Sequence, residues 1–75
     1  MDWSLCSAVD RNEGKVGGKW CFRGTRVPVA SLFEHLGGGS TVEDFLEWFP
    51  SVSRDQVHEV LAFAKRTLDQ PAPVA

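Results

Sequence analysis

Residues 22–29 read FRGTRVPV, and this stretch marks the boundary between the two halves of the chain. Gly24 permits a backbone conformation that a residue with a Cβ resists. Pro28 fixes its φ angle and lacks an N–H donor, so it suits the first turn of a helix, and it biases Val27 toward extended geometry. The stretch therefore predicts a junction at which a strand ends and a helix begins.

The segment before this junction is strand-like. Residues 4–9 (SLCSAV) alternate loosely, residues 10–18 (DRNEGKVGG) are rich in turn formers, and residues 19–22 (KWCF) form a short second strand. The two strands can pair as a hairpin with a long loop, or lie edge-on against a second copy. We assign residues 1–27 to a β-strand region that mediates dimerisation.

The segment after the junction carries the apolar spacing of helices. Helix one is predicted over about residues 28–36, with GGG at 37–39 as its stop. Ser40 opens helix two with Glu43 three residues on, in a capping-box pattern, and Pro50 ends it. The apolar stripes comprise Val29, Leu32, Phe33 and Leu36 in helix one and Val42, Phe45, Leu46 and Phe49 in helix two.

Ser53 is the predicted cap of a longer third helix, which ends near Leu68. Its apolar stripe comprises Val57, Val60, Leu61, Ala64 and Leu68. Residues 28–68 then form a tri-helical, homeodomain-like helix-turn-helix, because the short connection PSVS joins the last two helices. The predicted fold class is mostly α with a short N-terminal β-strand or hairpin region. Residues 69–75 (DQPAPVA) have little to bury, so we expect a disordered tail.

Length and composition favour a small self-associating domain. A chain of 75 residues holds one domain, and at this size folding buries only about 60% of the surface that the unfolded chain exposes. Three Trp and five Phe are many for one small core, so we expect a homodimer. The net charge of −2 divides into +2 over residues 1–30 and −4 over residues 31–75. Nucleic-acid binders usually carry a strong basic excess, which this chain lacks.

Several other classes of protein are disfavoured. No apolar run approaches the roughly 20 residues that cross a bilayer, and no signal peptide is recognisable at the start, so we expect a cytoplasmic protein without membrane contact. Cys6 and Cys21 should be reduced there, and with His35 and His58 they could make a metal site. Metal-ligand spacing is absent, so no metal or cofactor is expected. No catalytic motif stands out, and we expect no enzymatic activity.

Arg54 and Gln56, on the first turn of helix three, are the best candidates for contacts with DNA bases. The other outward residues of helices two and three suit DNA poorly, because the acids among them would repel phosphates. The outward residues are Asp55, His58, Glu59, Ala62 and Arg66 on helix three and Glu43, Asp44 and Glu47 on helix two. This acidic face is either solvated or meets a basic protein partner.

Four aromatic residues are candidates for a partner or dimer surface. Trp48 and Phe63 each lie at the shoulder of their helix, where an aromatic side chain either widens the core or meets a partner. Trp3 and Trp20, in the strand-like N-terminal segment, could likewise widen the core or meet a partner, and they favour a dimer formed through the strands.

Landmarks over residues 17–64 follow a known pattern. Gly18, Lys19 and residues 23–29 match a G-K, then R-G-T-R-hydrophobic-P-V core, and the later landmarks are Ser40, Glu43, Pro50 and Ser53. In these features the chain resembles the bacterial family called domain of unknown function 433, also described as VapB-type antitoxin-like. Trp20 stands where that family often has proline, and Ser53 replaces a frequent threonine; the change at Trp20 bears on the strand pairing.

The resemblance implies a homeodomain-like helix-turn-helix, often dimeric, encoded beside a PIN-like nuclease. It implies an antitoxin that binds and silences that toxin, with binding to operator DNA as a possible second role. The alternative is a stand-alone helix-turn-helix regulator that reads DNA with helix three. A third possibility is an oligomerising scaffold with neither activity.

The two arginines of the opening stretch remain open to two interpretations. Arg26 is interpreted as structural, paired with an acid such as Glu34 or Asp10 or with carbonyls around the junction, because a planar group with five donors suits pinning a turn. The other interpretation is a basic edge that meets DNA or the acidic cleft of a nuclease. For Arg23 the two interpretations are equally weighted.

Overall fold

The computed structural model describes residues 2–11 and 16–69. A 3-10 turn (Trp3–Leu5) and strand β1 (Val9–Arg11) come first, followed by a 3-10 turn (Val16–Gly18) and strand β2 (Trp20–Phe22). Three helices follow, namely α1 (Val29–Gly37), α2 (Val42–Trp48) and α3 (Arg54–Asp69). The predicted fold class, mostly α with three helices and an N-terminal hairpin, is confirmed.

The two strands form an antiparallel hairpin. Val9 lies opposite Phe22, Asp10 opposite Cys21 and Arg11 opposite Trp20. Of the two arrangements that the sequence left open, the structure contains the hairpin. The strand predicted over residues 4–9 is wrong in its bounds, because β1 begins only at Val9.

A local side-chain cap explains the turn that precedes β1. The Asp2 carboxylate accepts hydrogen bonds from the Ser4 backbone N–H (3.0 Å) and hydroxyl (2.6 Å). These bonds lower the pKa of Asp2 and hold the chain in a tight turn rather than an extended strand. The Cys6 N–H then donates to the Trp3 carbonyl over 3.0 Å and closes the turn.

Thr25 organises the junction between β2 and α1. Its hydroxyl donates to the Phe22 carbonyl (2.8 Å) and accepts from the Val27 N–H (3.0 Å), and its side chain is buried. Gly24 has a φ of +77°, the left-handed conformation that the sequence predicted for it. Pro28 is extended (φ −62°, ψ 139°) and immediately precedes α1, so the predicted start of that helix shifts by one residue to Val29.

The predicted cap of α2 is also displaced by one residue. Thr41, not Ser40, is the N-cap: its hydroxyl accepts from the Asp44 N–H, and the Asp44 carboxylate accepts from the Thr41 N–H, both over 3.1 Å. At α3 the predicted cap is correct, because the Ser53 hydroxyl accepts from the Gln56 N–H over 3.1 Å.

The core lies between the hairpin and the three helices. Its most deeply buried large side chains are Val9, Cys21, Phe22, Leu32, Phe45, Val57 and Val60. Two predicted stripe residues fall outside it, since Phe33 is 39% exposed and Leu68 is 80% exposed. Leu68 lies on the last turn of α3, and the part of the predicted tail beyond Asp69 lies outside the described residues.

No helix of the described part of the chain is both long enough and apolar enough to cross a bilayer.

Candidate interaction surfaces

Arg23 holds the start of the hairpin together. Its Nε donates to the Ser7 carbonyl and its Nη2 to the Val9 carbonyl, both over 2.9 Å. Its backbone N–H donates to the Ala8 carbonyl over 2.8 Å. The side chain binds one carbonyl in the turn before β1 and one at the start of β1, which suits the fixed fork of a guanidinium. The structure therefore gives Arg23 a structural role.

These bonds also engage the outer edge of β1 at Val9. Because the Arg23 N–H bonds the Ala8 carbonyl, the alternation of an antiparallel ladder turns the Val9 carbonyl outward, where the Arg23 side chain meets it. The other edge of the hairpin is engaged too, since Cys21 bridges Pro28 and the Phe22 N–H donates to the Val27 carbonyl over 3.0 Å. The engaged edges disfavour pairing of strands between two copies.

Gln56 is engaged at both ends of its side-chain amide. Its Oε1 accepts from the Ser53 N–H over 3.0 Å, which completes a capping box at the start of α3. Its Nε2 donates to the Arg23 carbonyl over 2.9 Å. The predicted contact between Gln56 and a DNA base stays a prediction, and it requires these bonds to break.

Arg54 is paired with Glu43. Both Nη atoms of Arg54 contact the two carboxylate oxygens of Glu43, so the first turns of α2 and α3 are joined by a two-pronged ion pair. Hydrogen bonding from Arg54, together with its charge, lowers the pKa of Glu43, and the same pair raises the pKa of Arg54. The charge that Arg54 would present to DNA is thus largely matched within the chain.

Arg26 differs from Arg54, because its side chain has no partner among the described residues. Its side chain is exposed and makes no hydrogen bond or ion pair with any described residue. The interpretation of Arg26 as a structural residue paired with Glu34 or Asp10 is therefore wrong. The reason is that the neighbouring Thr25 hydroxyl closes the junction, which leaves the arginine free in solvent.

The aromatic candidates separate into buried and accessible side chains. Phe63 is only 8% exposed and its ring centroid lies 4.8 Å from that of Trp3. Of the two alternatives for Phe63, its burial against Trp3 favours a wider core, and its role at a partner surface stays a prediction. Trp3 itself remains half-buried, and its ring centroid lies 6.5 Å from that of Phe33.

A groove of about 380 Å³ lies beside Trp3 and Trp20. Among the described residues its lining is almost entirely apolar, and Lys19 is the one charged residue that they contribute. The apolar members are Trp3, Trp20, Pro28, Val29, Ala30 and Phe33. The guanidinium of Arg11 lies 5.7 Å from the ring centroid of Trp20. Trp20 is half-buried and, like Trp3, contributes to an open apolar surface.

Trp48 is the most exposed tryptophan, at 56%. Its ring centroid lies 5.3 Å from the imidazole of His35, which in turn contacts Phe45 and Phe49. The His35 Nδ1 is 2.8 Å from the Ser31 carbonyl, and this contact orients the ring. Trp48 therefore sits on an ordered aromatic cluster while most of its surface faces solvent, next to the exposed acid Glu47.

A second cavity, of about 290 Å³, lies between the first 3-10 turn and α3. The Ser7 hydroxyl donates to the Glu59 carboxylate there over 3.1 Å. Cys6 lines this cavity, and both Cys6 and Cys21 are buried, reduced thiols. Across residues 2–11 and 16–69, no three His, Cys, Asp or Glu side chains converge on a position that could hold a metal ion.

Sequence reasoning missed two features of these surfaces. The burial of Thr25 and its paired hydrogen bonds had only a weak signal, a hydroxyl residue following a glycine at a turn. The bond from Gln56 to Arg23 had none, since the two residues are far apart in sequence and belong to different elements.

The fold defines a small three-helix domain preceded by a β-hairpin, with accessible aromatic surfaces among the residues described. A family model described as "Protein of unknown function (DUF433)" matches residues 9–64. The chain belongs to this family, so the resemblance to domain of unknown function 433 is confirmed. Comparisons with curated proteins and with solved structures found no match.

Proposed function

We propose that this protein is an antitoxin-like member of its family that binds and neutralises a PIN-like nuclease toxin. The observation that carries the proposal is the ordered but exposed ring of Trp48 on the acidic side of α2. As a homodimer in the cytoplasm, the protein would present this surface twice. Repression of its own operon is a possible second role.

The chemistry around Trp48 suits a protein partner. Tryptophan is among the residues that contribute most to binding energy at interfaces, because it buries a large rigid surface at a small cost in conformational entropy. Glu47, next to Trp48, is exposed and has no ion pair among the described residues, whereas the charge of Glu43 is matched by Arg54. An unpaired acid beside an apolar anchor attracts a basic surface and repels nucleic acid, which favours a basic patch on the nuclease as the contact.

The first turn of α3 gives further support for a protein partner over DNA. Both polar ends of the Gln56 amide are engaged within the chain, and the Arg54 guanidinium is paired with Glu43. A recognition helix would have to release these side chains before they reached a base edge, and each release would cost binding free energy.

The second candidate remains a stand-alone helix-turn-helix regulator. One observation favours it: Arg26 is exposed and unpaired among the described residues, so it is available to a phosphate. The five-residue connection between α2 and α3, residues 49–53, also fits a helix-turn-helix. This candidate requires salt-dependent binding to an operator fragment.

The experiment that separates these functions is capture from the native host with the tagged full-length chain at moderate salt. Captured proteins are identified by mass spectrometry and captured DNA by sequencing. We expect a metal-dependent nuclease that is retained by the wild type, lost with Trp48→Ala and retained with Leu68→Ala, a matched change at another accessible apolar residue. A discrete DNA fragment without a nuclease would contradict the antitoxin function and support the regulator.

A further inference from the structure

Helix α1 carries an exposed row of residues that the chain does not cover. Ala30, Phe33 and Glu34 are exposed, whereas Leu32 on the opposite side is buried. The exposed positions are spaced by three and four residues, so they share one face. The small side chain of Ala30 at the start of this row allows another helix to approach the backbone closely.

This face is continuous with the aromatic groove. Ala30 and Phe33 belong both to the exposed row of α1 and to the lining of the groove, whose other wall includes Trp20 and Trp3. Together they make one apolar surface that spans the hairpin and α1. A contiguous apolar surface on a small domain marks an interaction site.

Opposite charges flank this surface. Lys19 lies on the β2 side of the groove, and Glu34 lies on α1 beyond Ala30. Both side chains are exposed, and neither forms an ion pair or a side-chain hydrogen bond within the part of the chain that the structure describes. A two-fold axis that runs along the groove would exchange its two sides, so the side of one copy that carries Lys19 would face the α1 side of the second copy, which carries Glu34. Arg11, whose guanidinium lies against Trp20, adds a second cation on the hairpin side, so the two sides of the groove carry opposite charges that such an axis would bring together.

We infer that the groove and the exposed face of α1, together called the α1–groove surface, form a two-fold interface with a second copy of this chain. This inference rests on the homodimer of the proposed function and specifies its contact surface. The dimer forms through side chains of α1 and the hairpin face, not through pairing of strand edges, because hydrogen bonds within the chain already engage Val9 on the outer edge of β1 and Phe22 on the outer edge of β2.

The test is the oligomeric state of the purified full-length chain, measured by sedimentation velocity over a range of micromolar concentrations. Ala30→Glu places a charge in the centre of the α1–groove surface without disturbing the core, because Ala30 is exposed. Ala62→Glu makes the same change at an exposed alanine of α3 and is the matched control. We expect Ala30→Glu to raise the dimer Kd at least about tenfold, and Ala62→Glu to leave it unchanged.

Charge reversal provides a second test of the α1–groove interface. Lys19→Glu and Glu34→Lys each place like charges opposite one another and should each weaken the dimer, whereas the double variant should restore it. A monomeric wild type would overturn both this interface and the proposed homodimer. A dimer that persists unchanged in Ala30→Glu would overturn the interface alone and leave the homodimer standing.

Discussion

The Nε2 atom of Gln56 donates a hydrogen bond to the backbone carbonyl of Arg23 over 2.9 Å, and this bond ties the first turn of α3 to the end of the hairpin. Arg23 in turn binds the carbonyls of Ser7 and Val9. A polar chain thus runs from α3 through the β2–α1 junction to β1. Two residues that sequence reasoning assigned to DNA contacts are both parts of it.

Gln56→Ala should destabilise the fold. The change removes half of the capping box and leaves the Arg23 carbonyl without its side-chain donor, so the free energy of unfolding should fall by about 1–2 kcal/mol. Urea denaturation followed by circular dichroism measures this. Arg66→Ala, at an exposed residue of the same helix, is the control and should change stability by less than about 0.5 kcal/mol. Equal stability of both variants would show that the link contributes nothing.

The two arginines of the junction should behave differently. Arg23→Ala breaks two side-chain hydrogen bonds to the carbonyls of Ser7 and Val9 and should cost about 1–3 kcal/mol of stability. Arg26→Ala removes a side chain without a partner among the described residues and should cost less than about 0.5 kcal/mol. Thermal denaturation of the two variants under one buffer condition checks this, and the reverse ranking would contradict the structural role of Arg23.

The ion pair between Glu43 and Arg54 should affect the acid stability of the protein. Because the folded-state pKa of Glu43 lies below its ordinary value of 4.5, the pair contributes stability above that pH, and the contribution is lost as the pH falls through the folded-state value. At neutral pH the Tm of the wild type should be higher than that of Glu43→Gln. In acid this difference in Tm should disappear.

Comparing the two proteins isolates Glu43, since Asp2, whose pKa is also lowered, is present in both. High salt should reduce the difference in Tm between the wild type and Glu43→Gln at neutral pH, because both partners of the ion pair are exposed. A difference in Tm that is constant from neutral to strongly acid pH would mean that the ion pair does not stabilise the folded chain.

The last two turns of α3 should show the difference between a core residue and a surface residue. Phe63→Ala empties a buried site against Trp3 and should cost about 3–5 kcal/mol. Leu68→Ala changes a side chain that is 80% exposed and should cost less than about 0.5 kcal/mol in the monomer. Chemical denaturation at low protein concentration measures both, and a large loss for Leu68→Ala would indicate contacts that the single chain lacks.

Local chemistry explains which parts of the fold the sequence could predict. Gly24 and Pro28 specify their own backbone conformations, so the junction and the start of α1 were predictable to within a residue. The start of α2 was ambiguous because Ser40 and Thr41 are both good caps and each has an acid three residues on. Which of two adjacent residues becomes the N-cap depends on the path of the chain through the preceding glycines. The capping preferences of the two residues do not determine that path.

Long-range contacts determine the features that the sequence could not predict. The period of α3 placed Leu68 on the apolar stripe and Phe63 at its shoulder, whereas in the structure Trp3 packs against Phe63 and Leu68 is exposed on the last turn of α3. Likewise, nothing near Arg23 in sequence indicates that the carbonyls of Ser7 and Val9 come within its reach. The burial of Phe63 and the contacts of Arg23 were therefore not predictable from the sequence.

The most direct test of the proposed function is inhibition of the captured nuclease by purified protein. Wild-type protein should abolish the metal-dependent nuclease activity near a one-to-one ratio of chains, and Trp48→Ala should require a much higher concentration. The Arg54→Ala/Gln56→Ala double variant should inhibit like the wild type once its folding is confirmed. Inhibition that is unchanged in Trp48→Ala but lost in the folded double variant would contradict the proposed role of Trp48.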